Sequence, residues 1–396
     1  MTSKQPILND LHDKLAETAY EAIEWRRYMH QYPELSFQEE KTALYIQEKL
    51  RSFGLQVTSN IGGLGITAVL EGAHPGKTIA FRADFDALPI EDEKEVPYKS
   101  QNPGVMHACG HDGHTAALLW TAKTLSEFKR SIHGKIVFIF QPAEELPPGG
   151  AKFMVEAGVL GGVDYVFGAH LDSQSPLGTM VVGEGYQMAA VDKFSIKVQG
   201  IGGHGARPHQ AVDAIVIASE IVNSLQKIVS RQVDPLQSAV VTIGVLQAGS
   251  AFNIIADKAL LEGTVRTFDA AVRKQVEEQI YRIAEGITAA FGATCQIDYL
   301  NGYPALYNPS AETETVRSLF VEEFSADRVV EMEPSMGAED FSYFLLEKPG
   351  TYFRAGSRNE DPATHYPHHH PKFDFDERAL ENISKAFVKI ANHYVM

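Results

Sequence analysis

Four short apolar runs constrain this chain more than any other feature: Gly65–Leu70, Thr78–Arg82, Lys135–Phe140 and Asp164–Ala169. They read as strands that are apolar on both faces, with no alternation of polar and apolar positions. Such strands need cover on both sides. Helical patterns surround them. Residues 8–31 and 37–53 read as amphipathic helices, separated by Tyr32-Pro33, and the second stops at Gly54. A long helix is expected from Asp112 to Phe128 and a short one from Gly150 to Ala157. Apolar strands alternating with helices indicate an α/β fold built on a mainly parallel sheet.

The middle of the chain has a different rhythm. Lys193–Val198 alternates as a strand, Val212–Val229 is helical, Ser238–Gln247 and Lys258–Arg266 are successive strands, Ala270–Ala290 is helical and Thr294–Tyr299 is a last strand. The order β-α-β-β-α-β is that of a split βαβ, or ferredoxin-like, domain. The α/β pattern then resumes, with a helix near 311–324, strands near 327–331 and 351–355, and a final helix from Asp376. The economical reading is one α/β domain, residues 1–186 with 301–396, interrupted by a small inserted domain at 187–300. A chain of 396 residues suits two domains.

A formal charge of −16 argues against nucleic acid or an anionic membrane surface as the main partner, since both require a basic patch. Two cysteines, Cys109 and Cys295, cannot build a disulfide framework, and a reducing cytoplasm is the expected location. The N-terminal stretch has no apolar core of the kind a signal peptide carries. No window reaches eighteen apolar residues, so no transmembrane helix is expected.

One of the two cysteines lies in His107-Ala108-Cys109-Gly110-His111-Asp112-Gly113-His114. Thiolate, imidazole and carboxylate are the ligands of borderline divalent metals such as zinc. Gly110 has no Cβ to obstruct a turn that points Cys109 and His111 inward. Taken alone, the cluster also fits a buried cysteine among surface histidines. In open α/β sheets, however, ligands bind beyond the carboxyl ends of the strands. Asp84 and Asp86 follow the second apolar run, Glu144 and Glu145 the third, and His170 the fourth. These shared addresses point to one metal site. Adjacent glutamates cannot take the same role, so one can bind metal while the other faces water as general base. A further run, His368-His369-His370, can contribute at most one or two ligands, because adjacent side chains diverge.

With these residues in view, the chain resembles the amidohydrolase branch of the dinuclear zinc exopeptidases, which includes hippurate hydrolases, N-acyl amino acid aminoacylases and indole-acetyl-amino acid hydrolases. RYMHQYPELSF, RADFDALP, MHACGHDGHTA, QPAEE, GAH, GGHGARPH, GTVRTFD, MGAEDFSYF and HHPKFDFDE match the family's motifs in order, nearly end to end. The resemblance implies two divalent ions per subunit, zinc, manganese, cobalt or nickel, with Cys109 as their bridge. His111 with Glu145, and His170 with His369, would complete the shells. Glu144 would be the general base and acid, and Asp86 a carboxylate orienting a ligand. The His-x-Pro spacing selects His369 from its neighbours. Asp84 stands where related peptidases have a ligating histidine. Leu146-Pro147-Pro148 replaces the glycines commoner after QPAEE.

The inserted domain would be lid and dimerisation surface, making a homodimer or higher homo-oligomer. His204 would stabilise the oxyanion in the partner's site and Asn253 would lie near the substrate. Arg266 would contact the substrate carboxylate, with a surface arginine at a strand edge as the alternative. The implied reaction is hydrolysis of small N-acyl amino acids to a carboxylic acid and a free amino acid. A metallo-dipeptidase or carboxypeptidase, and a non-catalytic metal-binding dimer, are the alternatives.

Overall fold

The computed structural model describes residues 4–396. The chain divides into two compact units, one comprising the chain through Gln187 with Tyr307–Glu333 and Asp340–Met396, the other Met188–Leu306 with Pro334–Glu339.

The first unit is built on an eight-stranded sheet. In spatial order its strands are Gln56–Ile61, Gly65–Glu71, His133–Gln141, His74–Asp84, Tyr165–Pro176, Gly350–Arg358, Met180–Val181 and Val329–Val330. The four strands from His133–Gln141 to Gly350–Arg358 run parallel. The sheet as a whole is mixed, with four parallel and three antiparallel pairs between neighbours. Gln56–Ile61 pairs antiparallel with Gly65–Glu71, which pairs antiparallel with His133–Gln141. The turn between the first two is too short for the crossover that a parallel pair needs.

Three long helices, Lys4–Gln31, His111–Glu127 and Ala379–Val395, share the main core with this sheet. Leu11, Leu15, Leu118, Leu119, Ile383 and Phe387 pack in one cluster with Phe81, Phe138 and Phe167. The rings of Phe81 and Phe387 lie 4.7 Å apart. The His111–Glu127 helix is buried along nearly its whole length, on all sides and not along one stripe, with His111, Asp112 and His114 buried in its first turn. The last helix starts at Ala379, three residues beyond the expected Asp376, because that carboxylate is engaged by Asn359 and Arg378 in the preceding loop.

The second unit carries a four-stranded antiparallel sheet. Its order is Ala239–Ala248, Lys258–Thr267, Ala190–Gln199, Thr294–Asn301. Two helices, Ala214–Lys227 and Ala270–Ala290, supply the other half of its core. Each begins with an aspartate whose side chain accepts backbone N–H groups: Asp213 from Ile215, and Asp269 from Ala271 and Val272.

Candidate metal centre

Asp84 and Gln141 close neighbouring parallel strands in register with each other. The loops that follow carry Asp86 and Glu144-Glu145, at the sheet edge where α/β folds bind ligands. Cys109 arrives on the loop that enters the His111–Glu127 helix, and Gly110 caps that helix in the left-handed region at φ 91°. The expectation placed His170 just after its strand. The strand runs on through Pro176, and His170 lies inside it opposite Arg354. The alternating burial of Leu171 and Ser173 past the apolar run explains the extension. His369 belongs to a loop whose backbone N–H donates to the Ala108 carbonyl at 2.7 Å, tying the C-terminal segment to the cysteine loop.

The donors converge. Cys109 Sγ lies 3.5 Å from His170 Nε2. His369 Nε2 is 3.2 Å from Glu145 Oε1. His111 Nε2 is 3.8 Å from Glu145 Oε1, 3.8 Å from Asp84 Oδ2 and 4.0 Å from Glu144 Oε2. Cys109 is common to two triads whose donor atoms all lie within 4.8 Å of one another: one with His111 and His170, one with Glu145 and His369. This grouping sets His170 beside His111 and His369 beside Glu145, although His111 and Glu145 are also close. Donors around one tetrahedral ion stand roughly 3.3–3.8 Å apart for ordinary metal–ligand bonds. His111 Nε2 and Glu145 Oε1 are buried and have no aligned hydrogen-bond partner among the described residues. Buried polar atoms are rarely left so. The residues therefore fit divalent ions.

Surrounding groups set which atom of each candidate ligand faces inward. His111 Nδ1 donates to Asp86, Oδ1 at 3.1 Å and backbone O at 3.0 Å, which turns Nε2 toward the carboxylates. The other Asp86 oxygen accepts from the Ser36 hydroxyl at 2.7 Å and the Glu145 N–H at 3.0 Å. His170 Nδ1 donates to the Leu171 carbonyl at 2.6 Å, leaving Nε2 for the cysteine side. His114 is differently placed. Its Nδ1 donates to Asp84 at 2.6 Å and its Nε2 accepts from the Leu171 N–H at 2.9 Å, so neither nitrogen is available to a metal. His107 is buried, with neither ring nitrogen bonded among the described residues. His368 Nε2 accepts from the Ser173 N–H and His370 Nδ1 from the Lys372 N–H.

The pocket favours positive charge. Burial opposes protonation of His111, but the charge of Asp84 and the Asp86 hydrogen bond raise it to about 10. Burial and the charges of Glu145, Glu144 and Asp84 push the Cys109 thiol well up. Burial, then neighbouring His114 and His368, hold His170 well below the usual histidine range. Only a cation near Cys109 lets it ionise in such surroundings.

Buried ion pairs that sequence reasoning missed lie behind the site. Arg82 binds Gln141, Asp84 and Asp340 at 2.7, 2.7 and 2.9 Å. Arg26 binds Asp112, Asp374 and Glu377 at 2.9, 2.7 and 3.2 Å. His30 donates to Asp112 at 2.7 Å and accepts from Lys94 at 3.0 Å. Arg82 carried a usable signal, as a charge inside an apolar strand has to be paired. Arg26 carried none, since it reads as the polar face of a helix.

Three expected residues belong to the second unit. His204 is paired in register with Ile254, next to Asn253, whose carbonyl accepts the Gly205 N–H at 2.9 Å. The structure thus brings His204 and Asn253 together, with both exposed. Arg266 stands half-buried on a central strand, between Val240 and Val191, so the alternative of a strand-edge arginine does not hold.

Comparison with known proteins follows the same line. Residues 80–393 match peptidase family M20/M25/M40. The N-acyl-L-amino acid amidohydrolase of Geobacillus stearothermophilus is 49% identical over 292 residues, covering 74% of this chain and 79% of the relative. Thermostable carboxypeptidase 1 of Saccharolobus solfataricus is 44% identical over 379 residues, covering 94% and 96%. The crystal structure of the Bacillus subtilis YxeP protein, a dinuclear metal binding peptidase, superposes with a TM-score of 0.82 at 36% identity, covering 96% of this chain and 98% of that one. Among the described residues no helix is long and apolar enough to cross a membrane.

Proposed function

The chain belongs to peptidase family M20/M25/M40, and from that premise we propose that it is a metal-dependent amidohydrolase cleaving N-acyl amino acids to a carboxylic acid and a free amino acid. The observation that carries this reading is Cys109 at the shared corner of two donor triads, with Glu144 beside them. Cys109, His111, Glu145, His170 and His369 would hold two divalent ions, zinc, manganese, cobalt or nickel, with Cys109 between them. Bound there, the ions would supply a water of lowered pKa and polarise the scissile carbonyl.

The chain's own groups do the rest. Glu144 takes the proton of the attacking water and delivers it to the leaving amine. Asp86 holds His111 by Nδ1 and Glu145 by its N–H, so one carboxylate orients two ligands. The second unit is assigned the roles of lid and dimerisation surface. His204 would stabilise the oxyanion in a partner subunit's site, Asn253 would lie near the substrate and Arg266 would contact the substrate carboxylate. Removing an oxyanion donor typically costs about 2.7–4 kcal/mol of barrier.

The similarity to a carboxypeptidase supports a second reading, cleavage of C-terminal peptide bonds at the same site. Metal analysis coupled to a panel of N-acetyl amino acids, N-benzoyl amino acids and dipeptides tests both. Glu144→Gln should keep its metal and lose at least about 100-fold in kcat. Substantial turnover by the metal-replete variant refutes the assignment. Preference for dipeptides favours the second reading.

A further inference from the structure

Ala143 precedes the glutamate pair with φ 54°, in the left-handed region. For a residue with a Cβ that conformation costs roughly 1–2 kcal/mol. The tripeptide Ala143-Glu144-Glu145 is held at both ends by buried carboxyl groups. The Ala143 N–H donates to Glu39 Oε1 at 2.8 Å, and the Glu145 N–H to Asp86 Oδ2 at 3.0 Å. Glu144 lies between the two anchors.

Glu39 has no exposed surface. It stands at the start of the Glu40–Ser52 helix, but its side chain makes no capping bond there. Its second oxygen is buried without a hydrogen-bond partner among the described residues. Burial and the nearby Asp86 charge push the carboxyl up to about 8. A polar group so placed costs stability, and the bond it makes to another element goes to the turn that aims the glutamates.

We propose that Glu39 is a positioning residue. By holding the Ala143 N–H it maintains the left-handed turn that directs Glu144 toward the scissile bond and Glu145 toward the metal donors. The part concerning Glu144 rests on the proposed hydrolysis; the part concerning Glu145 does not. Glu39→Gln keeps an acceptor oxygen at the same reach. Glu39→Asp withdraws it by about one carbon–carbon bond, ~1.5 Å. Glu39→Leu removes it.

The test measures kcat, KM, melting temperature and metal affinity by chelator competition for all three variants, with Glu144→Gln in parallel. Glu39→Gln should stay within about threefold of wild type in kcat and metal affinity. Glu39→Leu and Glu39→Asp should lose about 10–100-fold in kcat with KM nearly unchanged, since misplacement near 1 Å has that effect. Both should bind metal roughly tenfold more weakly through the displaced Glu145. Should Glu39→Leu fail to fold, Glu39→Asp carries the comparison. The proposal is overturned if the folded, metal-saturated Asp or Leu variant keeps wild-type kcat and metal affinity, or if Glu39→Gln is as impaired as Glu39→Leu. Undiminished turnover in Glu144→Gln, or no activity of wild type on the panel, instead overturns the hydrolytic reading and leaves the metal-affinity comparison to decide on Glu39.

Discussion

Replacing Arg26 by methionine probes what holds the cysteine loop to the C-terminal segment. The guanidinium is fully buried and lies over the rings of Phe375 and Tyr98, at 4.4 and 4.6 Å. It binds Asp112, one residue into the helix that His111 begins, and Asp374, five residues after His369. Methionine keeps most of the stem's packing but takes the only guanidinium from two buried carboxylates, leaving His30 at Asp112 and the Tyr98 hydroxyl at Asp374. Breaking a buried pair from one side costs about 3–5 kcal/mol. At about 2–3 °C per kcal/mol for a domain of this size, the melting temperature should fall by roughly 6–15 °C at pH 7. The pH dependence has a definite sign. Burial by itself would raise Asp112 and Asp374; Arg26, with His30 at Asp112 and Lys94 at Asp374, overcomes it and holds both below the usual carboxylate range. Carboxyls depressed in the folded state contribute stability above the unfolded value near 4, and lose it as pH falls through the folded value. In Arg26→Met the same carboxyls protonate at higher pH, so the gap between the two proteins should narrow on acidification. Calorimetry from pH 7 to 4 measures it. A variant as stable as wild type at pH 7, or a gap that widens toward pH 4, refutes the ion-pair account.

Other predictions concern the site and the second unit. Chelation should abolish hydrolysis and lower the melting temperature, with both restored by a divalent cation, because an ion that binds only the folded state stabilises it. Cys109→Ser should weaken retention of both ions after dialysis by tenfold or more, since the thiol belongs to both triads; loss of one ion with full retention of the other would contradict a bridging role. Gly150→Ala would drive a Cβ into the Pro142 carbonyl oxygen, displacing the turn before Glu144; we expect about 1–3 kcal/mol of destabilisation and a fall in kcat measurable on folded protein. Asp269→Ala should cost about 1 kcal/mol in denaturant unfolding by removing two N-terminal hydrogen bonds, with metal content unchanged.

The chemical part of the site was legible because it depends on residue type and local pattern. Apolar runs ended at Arg82 and Phe140, and Asp84, Asp86, Glu144 and Glu145 followed within a few positions. Periodicity likewise marked the alternation of helices and strands, since each element's side chains repeat along its own length. Strand direction was less legible. Gly65–Glu71 reads as apolar as its neighbours, yet a short turn makes it antiparallel. Which histidines face the metal donors depended on the tertiary structure. His111 and His114 are three residues apart on one helix, but Asp84 and the Leu171 N–H occupy both nitrogens of His114, while Asp86 takes only Nδ1 of His111. Glu39 and Arg26 could not be read locally at all. Their partners lie 104, 86 and 348 positions away, at Ala143, Asp112 and Asp374. By itself, then, the sequence determined which donors exist and the order of elements that carries them. The fold decided which donor atoms remain open, because hydrogen bonds between distant segments exist only once those segments are packed together.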